Sequence, residues 1–183
     1  MFTIVQYPHP ALRKKARPVT EFTPEILEFG QELLKTLVPR RGKPLGVGLA
    51  SNQVNQLYRI FVVKMPEGRY EIVVNPKIVK ASSKTLSSLP QKARFLEGCL
   101  SIENYWGFID RPIKIKVSYM NLKGLLKQKT LTPPHSSYFA HELDHLNGIL
   151  FIDHLKHSGH QLYKSDTKGD FHPVSLAEHF PKI

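Results

Sequence analysis

One cysteine, Cys99, stands in 183 residues, so no disulfide can form within the chain, which agrees with a reducing compartment. No run of eighteen apolar residues is present, which excludes a membrane-spanning helix. The opening stretch "MFTIVQYPHPALRKK" has neither the apolar run nor the small-residue cleavage site of a secretory signal. It also lacks the Ser/Arg bias of a transit peptide. The expected location is therefore cytoplasmic. Internal repeats, low-complexity blocks and linkers are absent as well.

Acidic residues are scarce: 15 Asp+Glu face 26 Lys+Arg, a net charge of +11 with neutral histidines. Such an excess suits an anionic neighbour, RNA or a ribonucleoprotein surface, and it also serves plain solubility. The positive residues are scattered, as in "RKKAR", "PRRGK" and "KGLLKQK", rather than massed. Charge therefore speaks to a class of partner, not to chemistry, and to no specific DNA.

What is present is a globular chain with 41% hydrophobic residues, long enough for one domain over 1–183. "YPHPALRKKARPV" reads as a short helical turn between loops. "TPEILEFGQELLKTL" is the clearest helix, with Thr23 as N-cap, Pro24 at the first position and Glu25 at the positive end of the dipole. Ile26, Phe29, Leu33 and Leu37 form its apolar stripe, and Pro39 with the "PRRGKP" loop ends it. "YRIFVVK" and "YEIVVNPKIVK" read as two buried strands joined by "MPEG". "IKIKVSYMNLKGLLKQKTL" reads as strand, turn at Lys123–Gly124, strand. "HSSYFAHELDHLNG" reads as a helix closed by Gly148. The tail from about residue 156 is loop-rich and takes no assignment. Helices among antiparallel strands predict an α+β fold built around the helix that carries "HELDH".

That helix carries the chemistry. Positions i and i+4 share a helix face, so His141 and His145 can offer two imidazoles to one ion. Glu142 points away from both, yet it can reach a water on the ion and accept its proton. With nine histidines and ten glutamates in the chain, the pattern arises by chance only about 0.02 times. A catalytic site needs a third protein ligand and an open position. The extended motif HExxHxxGxxH fits through Gly148 but has Phe151 in place of its third histidine. The only later glutamate, Glu178, lies far along the tail. Cys99, in "LEGCLSIENYWGFIDRP", is the remaining soft ligand. A thiolate with two imidazoles suits Fe(II), Zn, Co or Ni. The histidines of "HLKHSGH", His154, His157 and His160, are expected to be scattered and solvent-facing.

Three stretches in order, "GVGLASNQ" at 46–53, "EGCLS" at 97–101 and "HELDH" at 141–145, resemble the peptide deformylase family. The opening "YPHPALRKKARPV" and the "RP" at 111–112 belong to the same resemblance, which spans about residues 1–155. It implies a metal-dependent hydrolase that removes the formyl group from the N-formylmethionine of nascent polypeptides and releases formate. It implies one divalent metal on Cys99, His141 and His145, usually Fe(II), with Ni, Co or Zn as substitutes. Glu142 would be the acid/base. The Gln53 side-chain amide and the Leu100 N–H would hold the oxyanion. Gly46, Val47, Gly48 and Tyr138 would bind substrate, the glycines letting a peptide run alongside as an added strand. Glu97 and Arg111 would pair behind the ligands, and Asp144 would steady them by hydrogen bonding.

Several positions depart from the family pattern. Ala140 replaces a common glutamine, Trp106 a basic or polar residue, Ser51 an alanine, and Leu96 an acidic residue. None removes a ligand, the acid/base or an oxyanion donor, so they bear on preference and rate. The tail lacks a basic amphipathic helix, so transient ribosome association is an expectation from substrate and charge. Two other classes stay in view, an HExxH zinc endopeptidase and a basic ribosome- or RNA-binding protein with a structural metal. The first predicts a third ligand other than cysteine. The second predicts salt-sensitive RNA binding without turnover.

Overall fold

The computed structural model describes residues 1–39, 44–181 and 183; most of the "PRRGKP" loop, at 40–43, lies outside the described residues. Two antiparallel sheets organise the chain. The larger contains β1 (Gly48–Ala50), β2 (Ile60–Lys64), β3 (Tyr70–Ala81), β6 (Ile115–Met120) and β7 (Leu126–Leu131), in the order β1-β2-β3-β6-β7. The smaller contains β4 (Glu97–Cys99), β5 (Ile102–Gly107), β8 (Leu162–Ser165) and β9 (Phe171–Val174), in that order. Four helices accompany them: α1 (Pro24–Leu37), α2 (His135–Leu146), α3 (Phe151–Ser158) and the short α4 (Leu176–His179). The α+β class, the mostly antiparallel strands and the histidine-bearing helix all match the sequence expectation.

Strand β2 explains how the large sheet is covered. Side chains alternate across a strand, and in "IFVVK" both sets are apolar. Ile60 and Val62 join the cluster built on α1's Ile26, Phe29, Leu33 and Leu37. Phe61 and Val63 join the cluster that holds α2's Phe139 and Leu146. The sheet is thus sandwiched between α1 and α2. Each such fully buried side chain contributes about 1.5–3 kcal/mol relative to an exposed one. In β6, by contrast, Ile115, Val117 and Tyr119 are buried and their neighbours are not, which is the one-sided alternation visible in "IKIKVSY".

The termini of α1 and α2 differ from expectation in detail. Thr23 stands before α1 but makes no side-chain capping bond. Helix α2 ends as read, at Asn147, followed by Gly148 at φ +76°. A Cβ at Gly148 would lie 2.5 Å from the Arg13 carbonyl oxygen, so that turn requires both the positive φ and the missing side chain.

The tail is where the sequence expectation fails. Residues that read as irregular form β8 and β9, which pair onto β5 and extend the β4–β5 hairpin into a four-stranded sheet. The apolar "ILFIDHL" becomes α3, and its Phe151, Ile152 and Leu155 pack with Leu12, Ile102, Ile109 and Leu162 in a separate core. Strands as short as four residues offer too little alternation to be seen in sequence. Near the start of the chain an extended segment joins the two halves. The Val5 N–H donates to the Gln53 carbonyl and the Tyr7 N–H to the Ser101 carbonyl, both at 2.8 Å. The Gln6 side-chain amide donates to the Leu100 carbonyl at 2.9 Å.

Candidate active site

Helix α2 sets His141 and His145 one turn apart, with ring centroids 4.9 Å apart. Cys99 ends β4, and its Sγ lies 3.2 Å from His145 Nε2. One ligand atom from each of Cys99, His141 and His145 falls within 4.8 Å of the others, the one such group among the described residues. A tetrahedral ion with Zn–S and Zn–N bonds of ordinary length needs ligand atoms roughly 3.3–3.6 Å apart. The three residues therefore fit a metal after small shifts. The other histidines are engaged elsewhere. His154 donates to Asp144 Oδ2 at 2.8 Å, His157 to the Asp153 carbonyl and His160 to the Phe108 carbonyl. His154 is thus not simply solvent-facing, as the sequence suggested.

A buried ion network backs the ligands. Arg111 grips Glu97 with two bonds, Nε to Oε1 at 2.7 Å and Nη2 to Oε2 at 3.0 Å. Its Nη1 donates to Asp144 Oδ2 at 2.7 Å. Glu97 Oε2 also lies 3.1 Å from His141 Nδ1, which orients that ring and leaves Nε2 for an ion. Burial pushes the Glu97 carboxyl up, but Arg111 and His141 outweigh it and hold it below the usual range. Burial likewise opposes charge on Arg111, and the two carboxylates overcome it. The guanidinium thus pairs with both carboxylates at once.

Glu142 sits in a different environment. Only 3% exposed, it is pushed up to about 7 by burial; His141 opposes the shift and Glu97 adds to it. Its Oε2 is buried with no partner among the described residues. A Cβ at Gly48 would lie 2.2 Å from its Oε1, so the carboxylate leans directly on the backbone of β1. His145 Nδ1 is also buried without a partner. Burial, then the neighbouring His141, keep His145 well below the usual imidazole range, in the neutral form a ligand must have.

Gln53 closes a single 3-10 turn, Ser51–Val54. Its Oε1 accepts the Ala50 N–H at 2.8 Å, which fixes the amide so that Nε2 faces Ser101 Oγ at 3.2 Å and Cys99 Sγ at 3.6 Å. Leu100 lies beside it in the β4–β5 turn. A cavity of about 770 Å³ opens over this floor, a size that suits a few peptide residues. Gly46, Val47, Gly48, Gln53, Glu97, Cys99, Leu100, Tyr138, His141 and Glu142 line it, while Arg111, Asp144 and His145 lie behind. Residues without an assigned role in the sequence reading also take part. Ser101, fully buried, bonds to Gln53, and its place inside "EGCLS" was the signal. His154 gave no signal, because its contact with Asp144 depends on how α3 docks.

A thiolate, two helix imidazoles and a buried carboxylate at the floor of a cleft define a mononuclear metallohydrolase of the HExxH type. The model of the polypeptide deformylase family matches residues 1–161. The peptide deformylase of Desulforudis audaxviator is 38% identical over 153 residues, covering 84% of this chain and 92% of that protein. That of Desulfotalea psychrophila is 31% identical over 175 residues, 93% of this chain and 96% of its own. Among solved structures, peptide deformylase from Thermotoga maritima superposes with a TM-score of 0.74 at 34% identity, over 84% of this chain and 97% of that one. A Plasmodium falciparum peptide deformylase in complex with inhibitor gives 0.69 at 35% identity, over 83% and 88%. This chain belongs to the peptide deformylase family and is a metal-dependent deformylase. The match reaches six residues past the span read from sequence, and neither the endopeptidase nor the RNA-binding alternative is favoured.

Proposed function

We propose that the chain, folded as one domain, removes the formyl group from the formylmethionine of nascent peptides. In this reading Cys99, His141 and His145 hold Fe(II), and nickel, cobalt or zinc can substitute. The observation that carries it is the Glu142 carboxylate, buried and unpaired beside the thiolate–imidazole cluster. Such a group, with an unpartnered oxygen at the floor of the cleft, suits a base that takes a proton and gives it back.

When bound, the metal makes a water nucleophilic near neutral pH. Glu142 would accept the proton of the attacking water and deliver it to the departing amine. Gln53 Nε2, oriented because the amide's Oε1 accepts the Ala50 N–H, and the Leu100 N–H donate to the oxyanion that develops on the formyl oxygen. Glu97 and Arg111 hold His141 in its tautomer, and Asp144 ties Arg111 to His154. Strand β1 is an edge of its sheet, so its outer side is free for the peptide to pair past Gly46 and Gly48. Val47 and Tyr138 flank the methionine side chain. Transient ribosome association and a cytoplasmic location follow from the substrate; among the described residues no helix is long and apolar enough to cross a membrane.

Protein purified without oxygen and reloaded separately with iron, nickel, cobalt or zinc is to be mixed with a formyl-Met peptide, and formate measured. Release with iron and nickel is expected. No formate with any metal overturns the deformylase reading. Highest turnover with zinc overturns only the choice of iron.

A further inference from the structure

The family match ends at residue 161, yet the chain beyond it completes the sheet that carries Cys99. Gly98, Trp106, Tyr163 and Pro173 stand opposite one another across β4, β5, β8 and β9 and so share one face. Trp106 fills the space that Gly98 leaves: a Cβ there would lie 2.7 Å from the indole ring. From the other side Phe171, two residues before Pro173 on β9, meets the indole edge-on, with centroids 5.7 Å apart at 81°. The indole is thus wedged between the strand that ends in Cys99 and the tail hairpin, and it forms part of the cavity wall. Its N–H is buried with no acceptor among the described residues. Phe95, Leu96 and Leu100 continue that wall, and no lysine or arginine lines the cavity among the described residues, although the chain carries +11.

A wall of this kind favours apolar side chains. We propose that Trp106, positioned by Phe171 of the tail hairpin, forms an apolar subsite that selects a large apolar side chain in the residues following the methionine. The proposal rests on the deformylase reading. Trp106 touches the peptide; Phe171 acts through it and is a positioning residue.

The test compares formyl-Met-Ala-Phe and formyl-Met-Ala-Ser on nickel-loaded enzyme, as the ratio of their kcat/KM values. The wild type is expected to prefer the phenylalanine peptide at least fivefold, through KM rather than kcat. Phe171→Ala should bring the ratio to within twofold, and Phe171→Tyr, which keeps a ring against the indole, should restore it. Because the ratio is taken within one variant, a general loss of activity does not mask the result. Trp106 is the only tryptophan, so its emission reports the subsite directly. On the zinc-loaded wild type, Met-Ala-Phe should change the emission saturably, and Met-Ala-Ser should need at least fivefold more peptide. Equal turnover of both peptides by the wild type, or a preference that survives Phe171→Ala, overturns the proposal and leaves the deformylase reading standing. An enzyme that deformylates neither peptide overturns both. If Phe171→Ala does not fold, equal fluorescence titrations of the wild type by the two products overturn the subsite.

Discussion

The two sheets meet the site on unequal terms. The large sheet is covered around β2 by α1 on one face and α2 on the other, and α2 presents His141, Glu142 and His145. The small sheet is short-stranded, half of it is drawn from the tail, and it presents Cys99 at the end of a three-residue strand. Ligands from two packing units can form one centre only if something holds the units in register. Arg111 does this: it grips Glu97 on the small sheet and Asp144 on α2 with bonds of 2.7–3.0 Å. Where two parts of a fold must agree to within a fraction of an ångström, a buried charge network supplies direction that apolar contact lacks.

The sharpest way to break this division is on α2 itself. Glu142→Ala is expected to lower kcat by about 10²–10⁴-fold while metal content, measured by mass spectrometry, stays unchanged. A fully active variant would sink the assigned proton role. Next comes the bridge between the units. Arg111→Met leaves Glu97 and Asp144 buried without their cation and is expected to cost about 3–5 kcal/mol in urea unfolding. A loss below 1 kcal/mol would mean that the sheets hold register without it. On the small sheet, Leu162→Ala empties a fully buried position and should cost about 2–5 kcal/mol. If it unfolds the tail alone, with α2 still protected in hydrogen exchange, then the two units do not fold together.

The smallest effect lies within the large sheet. Tyr119 donates to Glu71 at 2.6 Å, and burial, then Glu71, raise its pKa above the usual phenol value. A group whose folded pKa is raised stabilises the fold fully below its unfolded value of about 10, and that contribution fades as pH rises through the folded value. Tyr119→Phe should therefore cost about 0.5–1.5 kcal/mol at pH 8, since Glu71 keeps Lys129 at 2.8 Å. It should also flatten the loss of stability above pH 10. An alkaline limb identical to that of the wild type would remove Tyr119 as its cause.

The same contrast governs what could be read in advance. Most of the large sheet announces itself because β2, β3 and β6 alternate or run apolar for five residues or more, and its helices carry stripes and stop signals such as Gly148; the three-residue β1 does not. The i, i+4 spacing of His141 and His145 is local, so a helix pattern suffices to see it. Cys99 is 42 residues away from His141, and no spacing rule brings them together; only the resemblance of "EGCLS" to a known motif did so. The tail escaped because β8 and β9 are four residues long, Pro173 stands within one of them, and the pair is anchored through β8 on β5, more than fifty residues upstream. Phe171 beside Trp106 is a contact of that kind, without any local trace.

The segment at residues 5–7 has a consequence for the order in which the molecule can be made. It hydrogen-bonds to Gln53 and to the Leu100–Ser101 turn, and Gln6 and its partner Leu100 are 94 positions apart. Its bond to Gln53 spans 48 residues, whereas its bonds to Leu100 and Ser101 each span 94. The backbone behind Gln53 can therefore be braced before that of the Leu100–Ser101 turn, which waits for the strand that ends in Cys99.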